Sequence, residues 1–159
     1  MIKAQLSMGV ELLGSLIDAQ ISKTDQLKQL VIRNIVNEDG ANSSITLSQV
    51  GQQLKNDVEK LGRVIGLNDV QLPDINIPFP DELKNDLNKL KLELKVAYLH
   101  IKKEGTGEID VKYAFRVRIL GGDQINFGIK IHYLDLSIWN TENEKIISEI
   151  GIKKNSDDK

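Results

Sequence analysis

The sequence predicts an α+β protein, with N-terminal amphipathic helices followed by a long three-stranded antiparallel β-meander. Three observations carry this expectation. Residues 90 to 139 alternate apolar and polar side chains in long stretches separated by glycine turns, which is the period of a half-buried strand. Residues 2 to 65 instead repeat their apolar side chains at spacings of three and four, the period of a helix. Pro73, Pro78 and Pro80 separate the two regions, and proline supplies no N–H to a central ladder.

In chain order, Ile2, Leu6, Val10, Leu13, Ile17 and Ile21 fall on one face of a helix over about 3–21, and Met8, Leu12 and Leu16 widen the stripe. Ser22-Lys23-Thr24-Asp25 has the form of a capping box, so Leu27, Leu30, Val31 and Ile35 are expected on a second helix or a kinked continuation. Asn37 to Gly40 ends it, and Ala41 to Ser44 form a loop. Thr46 and Gln49 then cap a long helix whose seam is Leu47, Val50, Leu54, Val58, Leu61 and Ile65, with Gly66 just past its end. Packing on the sheet or on the other helices is the expected role of that seam. Residues 67–80 are an extended connector held by Val70, Leu72, Ile75, Ile77 and Phe79. Asp81 caps a short helix carrying Leu83, Leu87 and Leu90.

The meander follows. Leu90, Leu92, Leu94, Val96 and Tyr98 share one face of its first strand, and Glu104-Gly105-Thr106-Gly107 makes a turn. Ile109, Val111, Tyr113, Phe115, Val117 and Ile119 line the second strand. Gly121-Gly122-Asp123 turns into a third with Ile125, Phe127, Ile129, Ile131 and Tyr133. Apolar parity then changes to Leu134, Leu136 and Ile138, so an irregularity is expected between His132 and Asp135. Ile146, Ile147 and Ile150 mark a terminal element, and 153–159 a flexible tail. The organisation is thus a helical region 1–66, a connector 67–80, and residues 81–152 holding short helix, meander and terminal element.

At 159 residues the chain suits one domain. With no cysteine, a disulfide framework, a thiolate metal site and a cysteine nucleophile are excluded. No apolar run reaches the roughly 18 residues of a membrane span, and the expected location is the cytoplasm. The net charge of −2 conceals an uneven layout. Residues 1–88 carry −4, residues 89–132 carry +4 and the last 27 carry −2.

No catalytic signature is present. His100 and His132 are the only histidines, and neither has companions at ligand spacing, so no metal, cofactor or enzymatic role is expected. The glycine pairs lack the following helix and lysine of a phosphate loop. Lys112, Arg116 and Arg118, with Lys91, Lys95 and Lys130 on flanking strands, form the main candidate surface, a basic sheet face. Tyr113 and Phe115 point away from it, which disfavours a nucleic-acid platform. The second candidate surface is the broad stripe of the first helix at Val10, Leu12, Leu13 and Leu16.

The run from Val10-Glu11-Leu12-Leu13 through Ile17-Asp18-Ala19-Gln20, followed by Leu90-Lys91-Leu92-Glu93-Leu94-Lys95-Val96 and the later strands, resembles a group of small uncharacterised bacterial proteins. It is also similar to the trypsin-co-occurring domains of bacterial conflict systems, in which a short amphipathic helix precedes a three-strand meander. The likeness covers the first helix and residues 90 to 139, and leaves the helix at 46–65 unmatched. It implies a non-enzymatic adaptor or assembly domain and transfers no catalytic residue. The expectation is a self-assembling structural or adaptor protein whose partner is itself or another protein. Binding of lipid or of an anionic membrane is the alternative.

Overall fold

Residues 6–35 form three β-strands where the apolar spacing suggests helices. The structure, a computed structural model, describes residues 5–35, 49–77, 91–120 and 132–140. Strands β1 (Leu6–Leu12), β2 (Ser15–Lys23) and β3 (Leu27–Ile35) precede helix α1 (Val50–Val64). Strands β4 (Lys91–Glu104), β5 (Asp110–Leu120) and β6 (Tyr133–Trp139) follow it. They make one sheet in the order β1-β2-β3-β4-β5-β6, with every neighbouring pair antiparallel. The expected architecture of N-terminal helices and a three-strand meander is therefore replaced by a six-strand antiparallel sheet carrying one helix.

A spacing of four is also twice two, which explains the difference. Leu6, Met8, Val10 and Leu12 pair with Ile21, Ala19, Ile17 and Ser15, so both sets lie on the same sheet face. In the first two strands the single step of three, Val10 to Leu13, leads into the hairpin turn, and in β3 the step of three from Leu27 to Leu30 puts the two on opposite faces. Leu13 and Gly14 both have positive φ, 51° and 79°, as the two central residues of a type I′ turn require. Leucine in that region costs about 1–2 kcal/mol. Its side chain is 5 % exposed, so burial offsets the cost, and its N–H donates to Asp57 Oδ2 on α1 at 3.0 Å. The next hairpin uses the residues read as a helix cap. Thr24 Oγ1 accepts from the N–H groups of Gln26 and Leu27 at 3.2 and 3.1 Å, the local chemistry of an N-cap applied to a strand turn.

Helix α1 matches the expected seam from Val50 onward, but it begins at Val50 with Gln49 as an N-cap that makes no side-chain cap hydrogen bond, and Thr46 and Leu47 lie outside the described residues. Val50, Leu54, Val58, Leu61 and Ile65 are all buried and join the sheet's core, and Gly66 follows the helix with φ 80°. Over its described residues, 67–77, the connector is a strap without regular secondary structure along the helix, with Leu67, Val70 and Leu72 buried, and Pro78, Phe79 and Pro80 lie outside the described residues. Two helix glycines let it approach. A Cβ on Gly51 would meet the carbonyl oxygen of Ile75, and one on Gly62 would stand 2.5 Å from Val70 Cγ2. Lys55 and Asp74 join helix to strap by a salt bridge of 2.9 Å.

Strands β4 and β5 fall where expected, with Gly107 N–H bonded to the Glu104 carbonyl across the turn. The parity of β4 does not. A bulge between Leu94 and Val96 leaves Leu92 and Leu94 on the core face, then hands that face to Ala97, Leu99 and Ile101. Val96 and Tyr98 consequently pair with Arg116 and Ala114 on the opposite face. Leu134, Leu136 and Ile138 pair with Ile119, Val117 and Phe115 in unbroken register from Tyr133 to Trp139, so no irregularity occurs within β6. Asn140 extends the ladder with its side chain, accepting from Tyr113 N–H at 2.7 Å and donating to the Val111 carbonyl at 2.8 Å. The expected loop at 37–46, the short helix at 81–90, the strand at 124–131 and the terminal element and tail lie outside the described residues.

Candidate functional site

Pairing across the ladder divides the sheet into a core face under α1 and an outer face. Lys112, Arg116 and Arg118 do share the outer face, opposite Tyr113, Phe115 and Val117. The charges of Lys112 and Arg118 are met locally. Arg118 makes a forked contact to Asp135, Nε to Oδ1 at 2.9 Å and Nη2 to Oδ2 at 3.2 Å, and its guanidinium lies 4.0 Å from the Tyr133 ring centroid. That hydrogen bond raises the Arg118 pKa further above its ordinary value. Lys112 lies 3.7 Å from Asp110, Lys95 is 2.8 Å from Glu93, and Lys102 is 2.8 Å from Glu104. Lys130 lies outside the described residues. This part of the basic face is thus a mixed-charge surface, because β4, β5 and β6 supply Glu93, Glu104, Asp110 and Asp135 beside these bases.

His100 sits in the middle of this face. Its Nε2 is 2.9 Å from Gln29 Oε1, a hydrogen bond that requires the proton on Nε2. Burial first, then the positive charges of Lys102, Lys112 and Arg33 against the opposing Asp110, hold its pKa below the usual value. Among the described residues, no group of three or more His, Asp and Glu side chains is placed to hold a metal ion. No helix among them is long and apolar enough to cross a membrane.

The other expected surface is split by the hairpin. Leu12 and Leu13 are buried in this chain's own core and Val10 is half-buried against it, whereas Leu16 is 76 % exposed, the most open large apolar side chain described. Leu16 pairs with Glu11 on the outer face and leans diagonally over Gly9, its Cδ1 3.4 Å from where a Cβ on Gly9 would stand. Glycine at this position leaves the edge of the sheet flat. Leu6, at the start of the same strand, is 57 % exposed.

Strand β1 is the end of the sheet among the described residues, with β2 on one side only. Its sequence, Leu6-Ser7-Met8-Gly9-Val10-Glu11-Leu12, has no proline, no lysine and one charge. Those are the devices that normally keep a sheet edge from pairing with another strand. A flat, nearly uncharged edge beside an exposed leucine is the site that sequence reading missed, because the edge exists only once residues 6–12 are a strand. Scans against family models, curated proteins and solved structures find no match to this chain.

Proposed function

We propose that the protein acts as a self-assembling structural or adaptor protein without catalysis, and that it pairs with a second copy of itself along β1. The observation that carries this is the β1 edge, which among the described residues has a strand on one side only, with Leu16 folded over Gly9. A two-fold axis perpendicular to the sheet maps core face onto core face, so the residue numbers of antiparallel partners must add to an even total. Full overlap of the seven residues places Gly9 opposite its own copy. Met8 then meets Val10 of the second chain, Leu6 meets Leu12, and Ser7 meets Glu11.

This register suits the strand. Glu11 faces a serine rather than another glutamate, the half-buried Met8 and Val10 cover one another, and the two Leu16 side chains meet above the paired glycines. The mixed-charge outer face makes electrostatic pairing a secondary contribution.

The test is molecular mass in solution by light scattering, for the natural chain and for Leu16→Lys. Covering a leucine supplies about 1.5–3 kcal/mol, which is roughly ten- to more than a hundredfold in dissociation constant. The natural chain is expected as a dimer and Leu16→Lys as a folded monomer at the same micromolar concentration. A natural chain that is monomeric at high micromolar concentration overturns the proposal.

A further inference from the structure

A second feature lies at the other face of the same sheet corner; it shares Leu6 and Met8 with β1 but neither Leu16 nor Gly9. A cleft of about 390 Å³ opens between the last turn of α1 and the paired ends of β1 and β2, walled by Leu6, Met8, Ile21, Val64 and Ile65 and by the exposed Lys23. Leu6 and Val64 are 57 % and 48 % exposed, so two large apolar walls stand open to water. The volume is within the roughly 300–1,000 Å³ range of small-ligand sites.

Beside the cleft the core face changes from apolar to cationic. Beyond Ile21, Leu30 and Ile101, the next residues on that face are Lys23, Lys28 and Lys103, which pair in a row across β2, β3 and β4. Like charges directly opposite one another are destabilising. The row nevertheless converges, with Lys28 Nζ and Lys23 Nζ only 3.5 and 3.6 Å from the position a Cβ would take on Gly66. Ion pairs among the described residues include Lys55–Asp74, Lys95–Glu93, Lys102–Glu104, Lys112–Asp110 and Arg118–Asp135, and none of these involves the row. The C-terminus of α1 takes up part of the positive charge. That interaction is worth about 0.3–1 kcal/mol at an exposed site, and the carbonyls of Gly62 and Arg63 already accept from Leu67 and Gly66 N–H.

We infer that this corner binds a free fatty acid, the alkyl chain in the cleft and the carboxylate at the ammonium groups of Lys23 and Lys28. Charge complementarity selects an anionic head, and a cleft of about 390 Å³, largely apolar with Gln5 at its wall, has room for a single alkyl chain. The carboxylate relieves the repulsion within the lysine row, and the tail covers Leu6 and Val64. An occupied cleft also adds a covered apolar surface next to β1 while leaving Leu16 and Gly9 untouched.

The experiment is calorimetric titration of the full chain with dodecanoate, below the concentration at which it forms micelles, and with dodecyltrimethylammonium as the tail-matched cation. Saturable one-to-one binding of dodecanoate is expected, at least tenfold tighter than the cation. Lys23→Gln/Lys28→Gln should weaken it tenfold or more, and Val64→Asp should do so through the tail. Leu16→Lys should bind dodecanoate like the natural chain, which separates this site from the self-association of β1. The inference is overturned by absence of saturable dodecanoate binding, by equal binding of the cation, or by affinity unchanged in both variants. It is equally overturned if monomeric dodecanoate is silent while the chain binds phosphatidylglycerol vesicles or a glutamate-rich peptide.

Discussion

Replacing Gly62 with alanine tests how the strap is seated on α1, because two effects of opposite sign compete. In an open helix, glycine to alanine stabilises by about 1 kcal/mol. Here the new methyl would stand 2.5 Å from Val70 Cγ2, 2.9 Å from Val70 Cβ and 3.3 Å from the Leu67 carbonyl oxygen. Val70 is 5 % exposed, so its side chain has no room to swing into water and the strap backbone must move. Overpacking of this kind costs typically about 1–3 kcal/mol, and with the backbone contacts at both ends of the strap the upper part of that range applies, so a net loss of up to about 2 kcal/mol remains after the propensity gain. Val70→Ala alone forfeits roughly 1–3 kcal/mol of burial. In the double variant the new methyl occupies space vacated by the old ones, so the two losses are less than additive by about 1 kcal/mol or more. Urea denaturation reads all four proteins, and a 1 kcal/mol loss moves the midpoint by about 0.5 M for a slope near 2 kcal/mol/M. A stabilised Gly62→Ala, or losses that simply add, refutes the close seating of the strap.

Asp57→Ala should cost about 1–2 kcal/mol by urea denaturation, since it removes the carboxylate that accepts Leu13 N–H and orients Gln53 at 2.9 Å. Asp57→Asn keeps an acceptor and should lose less, and amide exchange at Leu13 should accelerate more in the alanine variant. The depressed pKa of His100 sets the sign of a pH effect. The unfolded chain binds the proton more readily than the fold, so the stability linked to neutral His100 is complete above about pH 6.5. It is lost as the pH falls from there through the lower folded value. Denaturation midpoints at pH 7.5 and 5.5 should differ less in His100→Gln than in the natural chain, and equal differences would remove His100 as the cause.

What was legible in the sequence followed from patterns with one interpretation. The seam expected for α1 takes the step of three twice, at Leu47 to Val50 and Val58 to Leu61, and a strand would have to change its apolar face at each. The stripe from Ile2 to Ile21 takes it once, beside Gly14. The strap was legible from its prolines, and β5 from strict alternation over Val111 to Ile119. The first thirty-five residues were ambiguous, because steps of four satisfy both periods and the turn at Leu13-Gly14 lacks the Asn-Gly or Asp-Gly signal of a two-residue hairpin. Thr24 misled for a related reason, since a hydroxyl bonded to the second and third N–H groups ahead begins helices and closes turns alike. In β4 the continuous apolar run Val96-Ala97-Tyr98-Leu99 masks the bulge that changes its parity.

The candidate surfaces depended on pairing, which sequence order hides. Arg118 is seventeen residues from Asp135, and only the β5–β6 register makes them neighbours. The lysine row is drawn from three strands, with Lys28 and Lys103 separated by the whole helical excursion. Leu16 was marked as a contact candidate on a helix face, whereas its exposed setting over Gly9 needs the β1–β2 hairpin.

The central claim is that β1 pairs with its own copy about Gly9, and a single cysteine measures it most directly. The chain has no cysteine of its own, so Gly9→Cys carries one thiol. Opposed residues in an antiparallel ladder have Cα atoms about 4.5–5.5 Å apart, inside the roughly 4.4–6.8 Å span of a disulfide. Gln20→Cys, on the same outer face one strand inward, is the control. Under mild oxidation, Gly9→Cys should become a disulfide-linked dimer while Gln20→Cys stays monomeric on a non-reducing gel. Cross-linking of Gly9→Cys no faster than that of Gln20→Cys would contradict pairing through the β1 edge.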